Sequence, residues 1–248
     1  MKILVCISSV PDTTSKINFT ADKSAFDKNG IQWVINPLDE FALTKAIKLQ
    51  ESQGATVTVL NVGDAGTEAV IRKALAIGAN DAVRVNAEAK DSFSVAKEIA
   101  KVAQDGGYDL ILTGKESIDY NGGAVPGMVA QLLNIPFVNA SVGLDVNGSE
   151  ATVVREIEGG KETISVKLPA VVAGQKGLVD EKDLIIPNMR GIMSARTKPL
   201  QVVEPSNSEA KVEAASFDSV APRAAVKLVS ADNLDELVRL LHEEAKVI

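Results

Sequence analysis

The sequence is poor in the side chains that carry most protein catalysis and metal binding. It has one cysteine, Cys6, and one histidine, His242. A single cysteine excludes an intrachain disulfide and a cysteine-rich metal site, and it is typical of a reducing compartment. None of the HExxH, GxSxG or GxxxxGKS/T patterns occurs. We therefore predict no metal site and no enzyme active site, and a chain that holds a reactive group rather than supplying one.

The sequence also lacks an excess of basic charge and any long apolar run. Its 26 basic and 33 acidic side chains give a net charge of −7, which argues against a nucleic-acid-binding face. No stretch approaches the roughly 20 apolar residues that a membrane span needs. The apolar run at residues 1–5 is too short for a signal peptide. We expect a soluble, cytoplasmic protein without membrane insertion.

What the sequence does contain is regular alternation of two patterns. Apolar residues make up 46% of the chain, enough to bury a large core. Short β-rich runs occur at residues 3–7, 56–60, 81–85, 110–113 and 170–173. Segments with helical spacing lie between them, at residues 40–53, 67–77, 92–104 and 125–133. This alternation predicts an α/β fold with a Rossmann-like, mostly parallel sheet that is covered by helices on both faces.

A different pattern follows residue 140. Three segments alternate apolar and polar side chains and are separated by glycine-containing turns; they are residues 142–146, 151–157 and 163–167. Such segments predict antiparallel hairpins, which we place at the edge of the sheet.

The chain is predicted to have two parts. Residues 1–199 form the α/β domain, and residues 200–248 form an extended arm with a short amphipathic helix at 233–244. An arm with one small helix cannot bury its own apolar face. It must therefore dock, and the residues alone leave open whether it docks on its own domain or on a partner.

A ligand is expected at one edge of the predicted sheet, the edge formed by the carboxyl ends of the parallel strands. Four loops leave this edge, after Cys6 and at residues 36–39, 62–66 and 114–124. The last has three glycines and enters a predicted helix at Val125. Glycines let backbone N–H groups approach an anion, and a helix N-terminus adds the positive end of its dipole. These features favour a phosphate site, although glycines also occur in ordinary strand-to-helix connections.

Several single residues have two interpretations. Cys6, at a strand end, is either redox-active or a buried structural thiol, and the structural interpretation is favoured. His242 is interpreted as a solvated surface residue. Trp33 and Phe41 are interpreted as core residues rather than as side chains that stack on an adenine.

A motif within the predicted hairpins carries a family resemblance. Residues 153–164 read Val-Val-Arg-Glu-Ile-Glu-Gly-Gly-Lys-Glu-Thr-Ile, and Leu-Pro-Ala-Val follows at 168–171. Further segments match in family order, at residues 2–6, 10–13, 35–37, 72–79, 114–119 and 187–193. Over residues 1–200 the chain resembles the β subunit of electron transfer flavoproteins, which is a Rossmann-like subunit of a heterodimeric electron carrier.

The resemblance implies cofactors and partners. The family's β subunit holds AMP and pairs with an α subunit that carries most contacts to FAD. The carrier accepts electrons from flavin dehydrogenases such as acyl-CoA dehydrogenases and passes them to electron transfer flavoprotein–quinone oxidoreductase. The resemblance also implies that the arm of residues 200–248 docks on the α subunit.

The resemblance further implies which residues of this chain bind. The expected AMP contacts are Cys6, Asn36, Pro37, Leu38, Asp39, Val62, Gly114, Lys115, Glu116, Ser117, Ile118, Asp119, Tyr120, Asn121, Gly122, Gly123, Ala124 and Val125. The expected contacts to partner dehydrogenases are Met189, Arg190, Ile192 and Met193.

The chain departs from the family at two positions of the phosphate loop. Gly122 and Ala124 stand where family members often carry threonine and glutamine. A branch of the family binds a second FAD in place of AMP and bifurcates electrons, and residues 10–13 also match that branch.

Two other classes of protein stay open. The long arm and the hairpin motif disfavour a stand-alone, homodimeric nucleotide-binding stress protein. An ATP-cleaving ligase-type enzyme would need a Ser-Gly-Gly-x-Asp-Ser loop after the first strand, which the chain lacks.

Overall fold

The computed structural model describes residues 1–206, 209–223 and 225–248. Positions 207, 208 and 224, which belong to the expected arm, lie outside the described residues. The chain divides into two compact units. The large unit comprises Met1–Ile17 and Lys28–Ala215, and the small unit comprises Asn18–Asp27 and Ser216–Ile248.

Most strands of the large unit belong to one sheet. The strands are β1 (Lys2–Cys6), β2 (Ser9–Pro11), β3 (Trp33–Ile35), β4 (Thr56–Val62), β5 (Asp81–Val85), β6 (Leu110–Gly114), β7 (Phe137–Asn147), β8 (Glu150–Ile157), β9 (Gly160–Lys167), β10 (Ala170–Gly174) and β11 (Leu200–Val203). The order in the large sheet is β11-β5-β4-β1-β6-β10-β7-β8-β9, while β2 and β3 pair separately. Neighbours from β11 to β7 are parallel, and β7, β8 and β9 form antiparallel hairpins. The predicted α/β fold and its hairpin edge are confirmed.

Helices cover both faces of this sheet. They are α1 (Pro37–Gln53), α2 (Glu68–Ile77), α3 (Ser92–Gly106), α4 (Val125–Leu133) and α5 (Met189–Ala195). Side chains of β1 alternate between two apolar clusters, so that Ile3 and Val5 pack with α1 and α2 while Leu4 packs with α3 and α4. All three are fully buried. Burial of each contributes about 1.5–3 kcal/mol, which explains why β1 lies inside the sheet.

Local signals fix where the helices begin and end. Pro37 opens α1, and Gly54 ends it in the left-handed conformation with φ 68°. Asp91 caps α3, because its side chain accepts a hydrogen bond from Ser94 N at 2.7 Å. These helices therefore begin and end where interactions local in the sequence place their termini.

The strand order creates a switch point between β1 and β6. From β1 the chain adds β4 and then β5 on one side, and it returns to place β6 on the other side of β1. Connections that leave β1 and β6 thus diverge, and a crevice opens at their carboxyl ends. The expected ligand edge is therefore present, and its centre lies between these two strands.

Two elements differ from the sequence-based prediction. Leu200–Val203, assigned to the arm, forms β11 and pairs in parallel with β5, with Leu200 opposite Ala82. No helix was predicted between residues 174 and 199, yet Met189–Ala195 forms α5. Both elements depend on contacts with residues more than 100 positions away, which local patterns do not reveal. The functional division of the chain at residue 200 stays a prediction.

The small unit combines a short hairpin with the C-terminal segment. An isolated antiparallel bridge joins Phe19 and Phe26. The ring of Phe19 stacks on Phe217 with centroids 5.3 Å apart, and Phe217 N donates to Lys23 O at 2.9 Å. A helix α6 (Leu234–Arg239) follows and continues as a π-helical turn over Leu240–Ala245. The predicted helix near the C-terminus is therefore confirmed.

Two kinds of feature are missing from the described ranges. Within them, none of the helices combines the length and the apolar character that crossing a bilayer requires. Nor do these residues bring together three or more His, Cys, Asp or Glu side chains that could hold a metal ion.

Candidate functional site

The turn at the start of α1 joins the two loops that border the switch-point crevice. Asn36 N donates to Ser8 O, just after β1, at 2.9 Å. The side chain of Asp39 bonds to the loop after β1 and to the end of β6, and the side chain of Asn36 bonds to the loop that follows β6. Three of the four predicted loops are therefore in direct contact.

Asp39 connects both sides of the crevice through one carboxylate. Its Oδ2 accepts a hydrogen bond from Ser8 N, and its Oδ1 accepts one from Gly114 N, each at 2.7 Å. The side chain is 4% exposed. Such short bonds from backbone donors to a carboxylate are stronger than neutral ones. Asp39 thus holds the end of β1 and the end of β6 at a fixed separation, and we call this pair of bonds the Asp39 brace.

The environment of Asp39 shifts its ionisation. Burial raises the pKa of this carboxyl from 3.8 to about 7, and the negative charge of Asp119 acts in the same direction. The bonds from Ser8 N, Gly114 N and the Asn36 side chain oppose the rise because they favour the ionised form. The brace therefore contains a group that titrates near neutral pH.

Asn36 holds the next part of the loop after β6. Its Nδ2 donates to Glu116 O at 2.9 Å, and its Oδ1 accepts from Ile118 N at 3.2 Å. The side chain is 1% exposed and does not cap α1, although Asn36 occupies the N-cap position. A single buried amide thus satisfies one acceptor and one donor of the loop, which fixes the loop's backbone path.

Position 114 requires glycine because Asp39 and Leu38 approach its backbone closely. A Cβ at this position would lie 2.5 Å from Asp39 Oδ1 and 2.8 Å from Leu38 Cβ. No side chain fits there without moving the α1 turn or the end of β6. Gly114 is therefore needed for the close contact between its backbone and the Asp39 carboxylate, and not for a left-handed backbone conformation.

The remainder of the loop is a compact turn. Ser117 N donates to Gly122 O at 3.3 Å, which closes the turn. Inside it, Asp119 Oδ1 accepts from Ser117 Oγ at 2.6 Å and from Tyr120 N at 2.9 Å. Asn121 has a φ of 50°, a left-handed conformation that asparagine tolerates.

The loop leads to an uncapped helix end. α4 begins at Val125, and Ala124 at the N-cap makes no side-chain hydrogen bond. The first-turn N–H groups of a helix have no partner inside the helix, and they form the positive end of its dipole. Together with the glycines at 122 and 123, this end fits an anionic group such as a phosphate.

The loop after β4 is fixed by residues that the sequence patterns did not single out. Arg84 is 5% exposed; its Nη1 donates to Gly63 O at 3.0 Å and its Nη2 pairs with Glu68 at 3.3 Å. Asn61 Nδ2 donates to Ile7 O at 2.9 Å, which links this loop to β1. An arginine among the apolar residues of β5 was the available signal. Val62, a predicted contact, lies between these two anchors.

Two buried oxygens at this edge lack a partner among the described residues. They are Asn61 Oδ1 and Thr113 Oγ1, at the carboxyl ends of β4 and β6. Buried polar atoms are nearly always satisfied, and exceptions often mark functional sites. The edge is therefore polar where a ligand is expected and apolar beneath it.

Cys6 belongs to the core beneath the site. Its side chain packs in the apolar cluster of α3 and α4, and burial raises the pKa of the thiol far above its usual range, helped by the charge of Asp39. A thiol that stays protonated is a poor nucleophile and redox group. The structural interpretation of the side chain is favoured. A backbone contact to AMP at Cys6 stays a prediction.

The residues predicted to contact dehydrogenases lie elsewhere, on α5. Met189 is 74% exposed and Met193 is 57% exposed, and Arg190 and Ile192 are also exposed. We call these four residues the docking face. Large apolar side chains this exposed on an ordered helix are typical of interaction surfaces.

The two hydrogen bonds of Asn36 give a first testable result. In Asn36→Ala both Glu116 O and Ile118 N lose their partner, and we expect a loss of roughly 1–3 kcal/mol in the free energy of unfolding. Hydrogen exchange of the Ile118 amide should therefore rise sharply in Asn36→Ala, whereas the Gly114 amide, which donates to Asp39, should change less. Unchanged exchange at Ile118 would contradict the assigned bond from Ile118 N to Asn36.

Comparison with known proteins agrees with this architecture. The family model for the electron transfer flavoprotein domain matches residues 24–208. Among curated proteins, the electron transfer flavoprotein subunit beta of Bacillus subtilis is 35% identical, with the whole of both chains covered. The subunit beta of Syntrophomonas wolfei is 34% identical over 91% of this chain and 88% of its own. The human subunit beta is 30% identical over 100% of this chain and 99% of its own. The chain therefore belongs to the electron transfer flavoprotein β-subunit family, and it is an electron-carrier subunit rather than an enzyme.

Proposed function

We propose that this chain is the β subunit of a heterodimeric electron transfer flavoprotein. It binds AMP at the switch-point crevice, and it shares an FAD at the interface with an α subunit. The carrier takes electrons from flavin dehydrogenases such as acyl-CoA dehydrogenases and delivers them to electron transfer flavoprotein–quinone oxidoreductase. The FAD, when bound, supplies the electron-accepting and electron-donating chemistry.

The observation that supports AMP binding is the Asp39 brace together with the loop it positions. Gly114 N is held by Asp39 at 2.7 Å, and Asn36 holds Glu116 O and Ile118 N. The loop then reaches the uncapped start of α4 with its glycines. These residues fit a nucleoside monophosphate, because backbone donors at 122–125 suit the phosphate and the turn at 36–39 borders the crevice.

The absence of two family side chains shapes this proposal. Gly122 and Ala124 offer no hydroxyl or amide, so the phosphate is recognised by backbone donors. This departure from the family, together with the match of residues 10–13, supports as a second candidate the branch of the family that holds a second FAD instead of AMP. The number of flavins per heterodimer separates the two candidates.

The docking face is assigned to the partner dehydrogenases. Its methionines are flexible and polarisable, which suits contact with several partners. The exposed Arg190 and Arg196 add positive charge that would steer an acidic partner surface. The arm, with exposed Val226, Leu228 and Leu234, is assigned to the α subunit. The cytoplasmic location also stays a proposal, since two rice relatives carry the word mitochondrial in their names.

Co-expression with a candidate α subunit tests the assignment. We expect co-purification as a 1:1 complex that has the visible absorbance of a bound flavin and is bleached by a substrate-reduced acyl-CoA dehydrogenase. A colourless homodimer that binds ATP would contradict the proposal and would favour the stand-alone stress-type protein. The same measurement on this chain alone is the control, because a shared flavin requires both subunits.

A further inference from the structure

Helix α5 has only seven residues, too short to be stable on its own, and yet it presents the docking face. Its opposite side contacts α2. Ala195 is buried there, and a Cβ at Gly191 would overlap the carbonyl oxygen of Ala76 on α2. The two helices therefore approach backbone to backbone, which only glycine permits at this position.

Two cations fasten the ends of these helices to one another. Arg72 of α2 donates through Nη1 to Ala195 O and to Lys198 O, both at 2.8 Å. These carbonyl groups lie at and beyond the C-terminus of α5. In return Lys198 Nζ donates to Leu75 O at 2.9 Å and to Ala79 O at 2.6 Å, at the C-terminus of α2.

Each cation thus sits at the negative end of the other helix. The last carbonyl groups of a helix have no partner within it, and positive charge there is favourable. Lys198 is half-buried at this contact, and burial lowers the pKa of its ammonium group. The arrangement is reciprocal: loss of Arg72 removes the donor to two carbonyl groups at the end of α5, and loss of Lys198 removes the donor to two at the end of α2.

We propose that Arg72, Lys198 and Gly191 are positioning residues for the docking face, because they clamp α5 to the α2 layer of the core. The inference rests on the proposed docking of dehydrogenases at α5. α2 is anchored by the buried Ile71, Ala74 and Leu75. The clamp therefore restricts the motion of α5, so that Met189, Ile192 and Met193 keep a fixed position relative to the core. A surface that is ordered before binding does not have to be ordered on binding, which strengthens association without any new contact.

The test uses the co-expressed heterodimer and the variants Arg72→Met and Lys198→Met. Trypsin cleavage after Arg190 reports the fraying of α5. A substrate-reduced acyl-CoA dehydrogenase, the probe, reports docking through the KM and kcat of flavin reduction. We expect cleavage to be faster by about tenfold and KM to rise by about tenfold, which corresponds to ~1.4 kcal/mol, with kcat unchanged.

Matched variants separate a positioning role from general damage. Lys73→Met removes the same charge from the neighbouring residue of α2, but Lys73 pairs with Glu40 and, among the described residues, donates no hydrogen bond to α5. It should leave cleavage and KM at wild-type values. Lys198→Arg keeps a cation at the C-terminus of α2 and should restore most of both readouts. Gly191→Ala should resemble Arg72→Met, because it separates the same helices.

The outcomes are distinguishable from failure of the proposed function. Unchanged cleavage after Arg190 would overturn the clamp. Faster cleavage with an unchanged KM would overturn its role in docking. A wild-type heterodimer that the dehydrogenase does not reduce in a saturable way would overturn the docking assignment itself, and with it the positioning role. The cleavage assay would still decide whether Arg72 and Lys198 hold α5.

Discussion

Replacing Asp39 with alanine is expected to destabilise the protein and to release its nucleotide. Ser8 N and Gly114 N would both lose the buried acceptor that now lies 2.7 Å away. Each unsatisfied buried donor costs roughly 1–3 kcal/mol. The ends of β1 and β6 would no longer be held together, and the loop that follows Gly114 would lose its fixed starting point. We therefore expect both a lower free energy of unfolding and a preparation depleted of AMP.

The same variant should change the pH dependence of stability, with a sign set by the raised pKa. The pKa of Asp39 is 3.8 in the ordinary state and about 7 in the fold. Between these values the folded chain keeps a proton that the unfolded chain has lost. Stability falls with rising pH wherever the folded state binds more protons. The contribution of Asp39 thus decreases from about pH 4 to pH 7, by up to ~4 kcal/mol, and is constant above that window.

Urea unfolding between pH 4.5 and 8 measures this effect. The destabilisation caused by Asp39→Ala should be largest near pH 5 and should shrink as the pH approaches 7, because only the wild type then acquires the buried charge. Glu40→Ala is the matched control, since Glu40 is adjacent in the same turn and its carboxylate pairs with the partly exposed Lys73 at 2.7 Å. Its effect should be below about 1 kcal/mol. Parallel pH profiles for the wild type and Asp39→Ala would contradict the raised pKa.

Adding one methyl group at Gly114 is expected to have the second large effect. The new Cβ would lie 2.5 Å from Asp39 Oδ1 and 3.0 Å from the carbonyl carbon of Leu38, which is backbone and cannot rotate away. The end of β6 must move, and the bond from Gly114 N to Asp39 is then lost. Overpacking of this kind costs about 1–3 kcal/mol. We expect Gly114→Ala to fold with reduced stability and to retain little nucleotide.

Gly160, at the start of β9 and outside the four ligand loops, provides the matched control. A Cβ there would meet nothing within 4 Å, and Gly160 is not among the glycines with positive φ. Gly160→Ala should therefore keep its stability within about 0.5 kcal/mol and should keep its nucleotide. Heat release and quantification of nucleotide from both variants is the measurement. Equal nucleotide content in the two would show that the ligand does not depend on the switch-point crevice.

Much of the site could be predicted from the sequence because strand ends are local features. The apolar runs at 3–7 and 110–113 located β1 and β6, and Asn36-Pro37 and Gly54 located the ends of α1. In a parallel sheet, carboxyl ends meet at one edge, so the loops were expected to converge. The family motifs then named the same loops independently.

The roles within the site could not be predicted, because they depend on long-range contacts. The ligand contact expected of Asp39 stays a prediction, while the bonds that its carboxylate accepts from Ser8 and Gly114, 31 and 75 residues away, were not predicted. Arg84 looked like one charge in a strand, whereas its guanidinium holds the loop after β4. α5 has few local helix signals, and the carbonyl group of its last residue, Ala195, accepts a hydrogen bond from Arg72, which is 123 residues away.

The most direct test of the proposed function is the nucleotide content of the heterodimer, released by heat and counted by chromatography. We predict about one AMP and about one FAD per heterodimer, with AMP lost in Asp39→Ala and FAD retained. Two FAD and no AMP would contradict AMP binding and would place this chain in the bifurcating branch. A heterodimer with no nucleotide besides one FAD would contradict the assignment of the switch-point crevice as a nucleotide site.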